Sequence, residues 1–166
     1  MILYLVRHAI AEEPGIRPDS QRPLTDNGRA QMRKIARGLA RLDVRPDLIL
    51  TSPYVRARET AGLLADAFQL NEDNLKVSEH LVPGSPLRQL VEEINSRYPK
   101  TENMACVGHE PFLSELSSLL LTGTKDLALN FEKGGVCALA MVSLRYGRCA
   151  GLEWLLTPSQ LAMLGS

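Results

Sequence analysis

The chain has 166 residues, in which 19 lysines and arginines are balanced by 19 aspartates and glutamates, and 45% of the residues are hydrophobic. This length suits one hydrophobic core, so we expect a single domain over residues 1–166. The balanced charge argues against nucleic acid or an anionic membrane as a partner, because no overall field attracts a polyanion. The apolar run at 1–6 ends at Arg7, which makes it too short for a signal peptide or a membrane span. The three cysteines lack metal-type spacing and predict reduced thiols in a cytoplasmic protein.

Short apolar runs alternate with helical patterns over the first two-thirds of the chain. The runs have the length and composition of buried strands and cover residues 1–6, 47–51, 75–78 and 104–107. Between the runs, apolar residues recur at helical spacing, and Ser, Thr or Pro precedes each helical pattern as a start signal. The expected helix starts lie at Thr25, Ser52, Ser85 and Pro111.

The last third of the sequence has a different pattern. Residues 136–144 and 149–156 look like two strands joined around Gly147-Arg148, which predicts a hairpin at one edge of the sheet. Strands that alternate with helices imply right-handed crossovers and parallel pairing. The predicted fold is therefore α/β: a three-layer α/β/α sandwich with a mostly parallel central sheet and an antiparallel edge hairpin.

All three histidines follow predicted strands. His8 comes after Arg7 at the end of the first strand, and His80 follows Glu79 after the third. His109 follows the fourth strand, and Arg56 lies in the first turn of the helix after the second. Ligands bind at the carboxyl ends of strands in open α/β sheets, so we expect a site there. The loop at 11–23 begins just after His8 and should lie over that site.

Paired arginines and histidines at one sheet edge suit a tetrahedral dianion such as a phosphoryl group. Guanidinium groups bind phosphate oxygens in a bidentate way, and the first turn of a helix also favours an anion. The sequence has no Walker-type glycine loop, no paired aspartates for Mg²⁺ and no cysteine followed by an arginine cradle. By elimination a histidine is the expected nucleophile, and His8 is the better placed candidate.

Two other classes of function compete with this interpretation. The first is a metal site built from the three histidines, which Arg7 and Arg56 disfavour because they would repel a cation. The second is a phosphoprotein-binding module without turnover, in which we would expect the nucleophile to be missing. The sequence pattern at His80 also fits an ordinary turn histidine. The expected cofactor and metal content is none.

The segment Leu5-Val6-Arg7-His8-Ala9 resembles the Arg-His-Gly signature of the histidine phosphatase superfamily. Three further segments of the chain resemble later motifs of that family: Leu24-Thr25 with Gly28, Ser52 to Ala57 with Thr60, and Gly108-His109. The resemblance covers residues 1 to about 120, and the chain is most similar to SixA-type bacterial phosphohistidine phosphatases. Two departures are Ala9 in place of the signature glycine and the absence of a tryptophan-containing segment after Glu79. Phosphoglycerate-type mutases look longer than this chain.

The resemblance implies a role for each motif residue. His8 would accept the phosphoryl group, and Arg7, Arg56 and His109 would hold its oxygens. Arg22 would add a donor from the overhanging loop, and Glu79 stands where the family has an acidic proton donor. We therefore expect a metal-independent phosphatase acting on phosphohistidine of a protein, such as a phosphotransfer domain. The alternative is a phosphomonoesterase acting on small phosphate esters.

Overall fold

The computed structural model describes residues 1–166 and contains six strands and five α-helices. The strands are β1 (Ile2–Arg7), β2 (Leu48–Thr51), β3 (Leu75–Val77), β4 (Asn103–Gly108), β5 (Val136–Met141) and β6 (Ala150–Leu156). The helices are α1 (Asp26–Arg41), α2 (Val55–Phe68), α3 (Leu87–Arg97), α4 (Phe112–Thr122) and α5 (Pro158–Leu164). None of these helices is long and apolar enough to cross a membrane.

The six strands form one mixed sheet in the order β3-β2-β4-β1-β5-β6. The first four of these strands are mutually parallel, whereas β5 runs antiparallel to β1 and β6 antiparallel to β5. Strands β1 and β4 therefore lie side by side at the centre of the sheet with the same direction. The predicted parallel sheet with an antiparallel edge hairpin is confirmed.

Two hydrophobic clusters fill the two faces of this sheet. Helices α1, α2 and α5 bury side chains such as Met32, Leu64 and Leu161 against one face. Helices α3 and α4 bury Leu90, Leu116 and their neighbours against the other. Each layer covers strands that are apolar on both sides, as parallel central strands require. The three layers confirm the predicted α/β/α sandwich.

The helix starts differ from the prediction at two serines. Ser52 still donates its backbone N–H to Val107 of β4 at 3.0 Å, so the chain remains paired with the sheet there, and α2 begins only at Val55. The hydroxyl of Ser85 donates to the carbonyl of Glu79 at 3.3 Å and caps nothing, so α3 begins at Leu87. The prediction that these serines are N-caps was wrong in both cases.

Helix α5 was not among the predicted elements, and β5 ends at Met141 instead of residue 144. The start of α5 carries a capping box, in which Thr157 accepts from the backbone of Gln160 and the Gln160 side chain accepts from Thr157 N–H. This signal is present in the sequence, but only seven residues follow it before the helix ends. The buried Leu161 shows that packing against α1 stabilises this short helix.

Candidate active site

The register of the two central strands brings His8 and His109 together. Arg7 in β1 pairs with Gly108 in β4, so the residues that follow each strand leave the sheet at the same level. The backbone N–H of His8 donates to the carbonyl of Gly108 at 3.1 Å. The two imidazole rings lie with their centroids 5.1 Å apart, and both are buried. The expected juxtaposition of these histidines is present.

His8 presents its Nε2 atom to a guanidinium group. Its Nδ1 lies 2.8 Å from the carbonyl oxygen of Ala9, which can only accept, so Nδ1 carries the proton. Nε2 then holds the lone pair and accepts from Nε of Arg56 at 3.1 Å. Burial lowers the pKa of His8 to about 4, against the opposing hydrogen bond to Ala9, and the charge of Arg56 lowers it further. The ring is therefore neutral at pH 7, the form in which imidazole is a nucleophile.

Arg56 is held almost completely inside the protein by its position in the first turn of α2. Its side chain is 4% exposed, and it meets the loop before α1 through Asp19. Nη1 donates to the backbone carbonyl of Asp19 at 2.5 Å, and Nη2 donates to its carboxylate at 3.0 Å. Thr60 supports this arrangement from the next turn, since its hydroxyl donates to the Arg56 carbonyl and accepts from Ala9 N–H. The start of α2 and the end of β1 are thereby tied together.

His109 is oriented by the residue that follows β2. Its Nε2 lies 2.8 Å from the hydroxyl of Ser52, while its Nδ1 is buried and makes no hydrogen bond within the protein. Burial lowers the pKa of His109 to about 3, and its proximity to the titratable ring of His8 and to the positive charge of Arg56 lowers it further. Tyr54 packs on the same ring, with centroids 5.0 Å apart. This ring too is neutral at pH 7 before an anion binds.

Arg7 is the third side chain beside His8, after Arg56 and His109. Its Nη1 donates to the carbonyl of Phe131 at 2.6 Å, which fixes the guanidinium against the segment that leads into β5. Its Nε is buried and has no hydrogen-bond partner in the protein. Arg7 also forms no ion pair, so a bound dianion would provide the counter-charge that this partly buried cation lacks.

Arg22 lies at the end of the loop at 11–23, which contacts the site as predicted. Its Nε and Nη2 both donate to one carboxylate oxygen of Asp19, at 2.9 and 2.6 Å, and its Nη1 donates to the carbonyl of Glu12. Asp19 in turn contacts Arg56, so Arg22 reaches the site through this carboxylate.

Gly28 allows the start of α1 to pack closely against the backbone after β1, because a Cβ at this position would lie 2.1 Å from the carbonyl oxygen of Ile10. The motif glycine is therefore required by close backbone packing.

Comparison with known proteins identifies the family of this chain. A family model described as the histidine phosphatase superfamily (branch 1) matches residues 3–81. An uncharacterized protein of Picosynechococcus sp. is 33% identical over 141 residues, which are 84% of this chain and 84% of that protein. The chain belongs to the histidine phosphatase superfamily. It is accordingly a hydrolytic phosphatase.

Solved structures of phosphatases have the same fold. The structure of the protein histidine phosphatase SixA complexed with tungstate superposes with a TM-score of 0.84 at 22% identity, covering 97% of this chain and 99% of that one. The α-ribazole phosphatase from Shigella flexneri superposes with a TM-score of 0.65 at 21% identity, covering 89% and 96%. The fold thus occurs in phosphatases whose names give different substrates.

Glu79 and His80 lie on a 3₁₀ turn that follows β3, and neither side chain makes a hydrogen bond with the residues around His8. Glu79 is exposed, and its side chain makes no hydrogen bond or ion pair. His80 borders a surface hollow that it shares with Glu93 and Arg97. The structure therefore does not bring His80 to the other two histidines, and no group of three His, Cys, Asp or Glu side chains is arranged to hold a metal ion.

Sequence reasoning missed two acidic residues that organise this histidine phosphatase site. Asp19 was overlooked, although it lies three residues before Arg22 in the overhanging loop. Glu59, on α2, accepts from the backbone of Leu24 at 2.7 Å and pairs with Arg29 at 3.0 Å. Both carboxylates attach the loop at 11–23 or its end to neighbouring helices, and such long-range contacts leave no periodic signal in the sequence.

Proposed function

We propose that this protein hydrolyses phosphohistidine on another protein, such as a phosphotransfer domain in signal transduction, through a covalent phosphohistidine formed on His8. The observation that carries the proposal is the geometry of His8. Its Nδ1 proton is held by the Ala9 carbonyl, and its Nε2 lone pair faces the Nε edge of Arg56. A phosphoryl group that enters between Nε2 of His8 and Nε of Arg56 meets the nucleophile and a hydrogen-bond donor for one of its oxygens at the same time. We further propose a cytoplasmic location, which the three free cysteines support.

The first half-reaction transfers the phosphoryl group to His8. Neutral Nε2 attacks phosphorus in line, the bond from phosphorus to the substrate nitrogen breaks, and the leaving imidazole departs with the proton that its other nitrogen carries. Arg7, Arg56 and His109 are the proposed ligands of the three equatorial oxygens, with Arg22 as a further donor. The bound dianion raises the pKa of His109, so that this ring can donate a hydrogen bond to it.

The second half-reaction restores the nucleophile. Water attacks the phosphorus of phosphohistidine, the bond to Nε2 breaks, and inorganic phosphate leaves with the protons of the water. The Ala9 carbonyl keeps Nδ1 protonated throughout, so Nε2 regains its lone pair without a change of tautomer. Splitting one displacement into two easier ones is the usual benefit of covalent catalysis.

The preference for a phosphorus–nitrogen bond rests on the environment of Glu79. An alkyl phosphate releases a poor alkoxide leaving group, which needs an acid held in place to protonate it. Glu79, the proposed acid, is exposed and unanchored, whereas the ring of phosphohistidine can bind a proton on its other nitrogen and then leaves as neutral imidazole. The alternative substrate class is small phosphate esters, and the fold similarity to an α-ribazole phosphatase favours it.

A direct comparison of substrates tests the proposal. The values of kcat/KM for a phosphohistidine protein and for a set of sugar and glycerate phosphates are measured with a metal chelator present. We expect the phosphohistidine protein to be the better substrate, with Glu79→Gln changing that activity less than twofold. Glu72→Gln, in the preceding exposed 3₁₀ turn, is the matched control. A better alkyl ester whose hydrolysis is lost in Glu79→Gln would establish the small-ester alternative, and activity lost to the chelator would refute metal independence.

A further inference from the structure

Asp19 connects two of the proposed phosphate ligands through a single side chain. One carboxylate oxygen accepts from Nε and Nη2 of Arg22, and the other accepts from Nη2 of Arg56. The backbone carbonyl of Asp19 takes a further hydrogen bond from Nη1 of Arg56. The two guanidinium groups cause the pKa of Asp19 to lie below its usual value in spite of the opposing effect of burial. Asp19 is therefore ionised and cannot serve as a general acid near pH 7.

The contacts of Arg56 divide its guanidinium group into two functional edges. Nη1 and Nη2 are held by Asp19, whereas Nε points at Nε2 of His8 at 3.1 Å. A planar guanidinium held at one edge can rotate little, so the direction of the other edge is fixed before a substrate arrives. A phosphoryl oxygen next to Nε2 of His8 would meet the Nε edge, and Asp19 would stay in place on the other edge.

We propose that Asp19 is a positioning residue, which orients Arg56 and Arg22 around the phosphoryl group. It also balances part of the charge of Arg56, whose 4%-exposed side chain has no other carboxylate partner. The reasoning rests on the proposed function only in placing the phosphoryl group at Nε2 of His8. The opposite role, a carboxylate that competes with phosphate for the arginines, predicts tighter phosphate binding when Asp19 is neutralised.

The test is the substitution Asp19→Asn in the full chain. Asparagine keeps the backbone carbonyl and nearly the same shape, but it offers one acceptor oxygen, and its amide N–H₂ must face one of the two guanidinium groups. Glu13→Gln is the matched control, because Glu13 is exposed in the same loop, makes no hydrogen bond or ion pair, and loses the same charge. Thermal unfolding checks that both variants keep the fold.

Two measurements decide the outcome. Calorimetric titration with inorganic phosphate needs no turnover, and we expect Asp19→Asn to raise the Kd for phosphate at least fivefold relative to Glu13→Gln. We expect kcat/KM for the best substrate to fall at least tenfold, mainly through kcat, with partial recovery in Asp19→Glu. A lower Kd, or a Kd and kcat/KM both within twofold of the control, would overturn the proposal. If the wild-type protein fails to hydrolyse phosphohistidine, the proposed substrate is refuted, and the phosphate Kd still decides the role of Asp19.

Discussion

Arg56→Lys separates the geometry of the guanidinium group from its charge. Lysine keeps one positive charge at this buried position but replaces a planar fork with a single ammonium group. In the structure the fork makes three hydrogen bonds in fixed directions, one to Nε2 of His8 and two to Asp19. A lysine cannot maintain both contacts and also hold a phosphoryl oxygen.

The expected loss can be estimated from these contacts. Lysine loses the directed, charge-assisted hydrogen bond that the Nε edge offers to a phosphoryl oxygen, and removal of one such donor from a transition state costs about 2 to 4 kcal/mol. We take ~2 kcal/mol as the lower bound, which corresponds to a decrease of roughly 30-fold in kcat/KM.

The assay compares kcat/KM of Arg56→Lys with that of Arg58→Lys on the same substrate. Arg58 lies two residues further along α2 and is exposed, so Arg58→Lys makes the same replacement of guanidinium by ammonium on the same helix but outside the site. We expect Arg58→Lys to stay within twofold of the wild type. Activity of Arg56→Lys within twofold of the wild type, with the fold intact by circular dichroism, would show that charge alone suffices and would refute the reasoning.

Two further predictions concern stability. The folded-state pKa values of His8 and His109, about 4 and 3, lie below the unfolded value near 6.5, so the unfolded chain binds more protons as the pH falls below 6.5. The free energy of unfolding should drop by roughly 1 to 2 kcal/mol per histidine between pH 7 and 5. In urea titrations the free energy of unfolding of His8→Asn should fall by less than that of the wild type over this pH range, the difference being the contribution of one histidine. An equal fall in both proteins would contradict the lowered pKa of His8. Gly28→Ala should lower the free energy of unfolding by about 1 to 3 kcal/mol, because the added Cβ would lie 2.1 Å from the carbonyl oxygen of Ile10. Gly62→Ala should raise it by up to ~1 kcal/mol, because a Cβ at this position in α2 has no neighbouring atom within 4 Å. Equal stability of the two alanine variants would argue against the close packing at Ile10.

The sequence predicted the cluster around His8 because strand ends carry positional information. Parallel neighbours end at the same edge, so an apolar run followed by Arg7-His8 and another followed by Gly108-His109 already place two histidines together. Arg56 was predicted for a similar reason, since a helix that follows a strand directly starts at that edge. The order β2-β4-β1 in the sheet, which makes these ends adjacent, became known only from the structure.

The parts that sequence reasoning could not supply depend on the path of irregular segments. The contacts of Asp19 join residues 37 positions apart through a loop with no periodicity. Ser52 has the pattern of a helix cap, but its hydroxyl instead lies beside His109, because the chain stays paired with β4 for one more residue. Glu79 was assigned by its position in a family pattern, and the structure shows that its side chain is exposed and unanchored. Tertiary contacts determined each of these outcomes.

The covalent intermediate on His8 is the central claim, and trapping it is the most direct test. The protein is mixed briefly with a phosphorylated substrate, quenched in base and mapped by peptide mass spectrometry. We predict one phosphoryl group per chain on His8, stable in base and lost in acid, and no label or turnover in a folded His8→Ala variant. Full activity of His8→Ala, or a phosphoryl group found on another residue, would contradict the account.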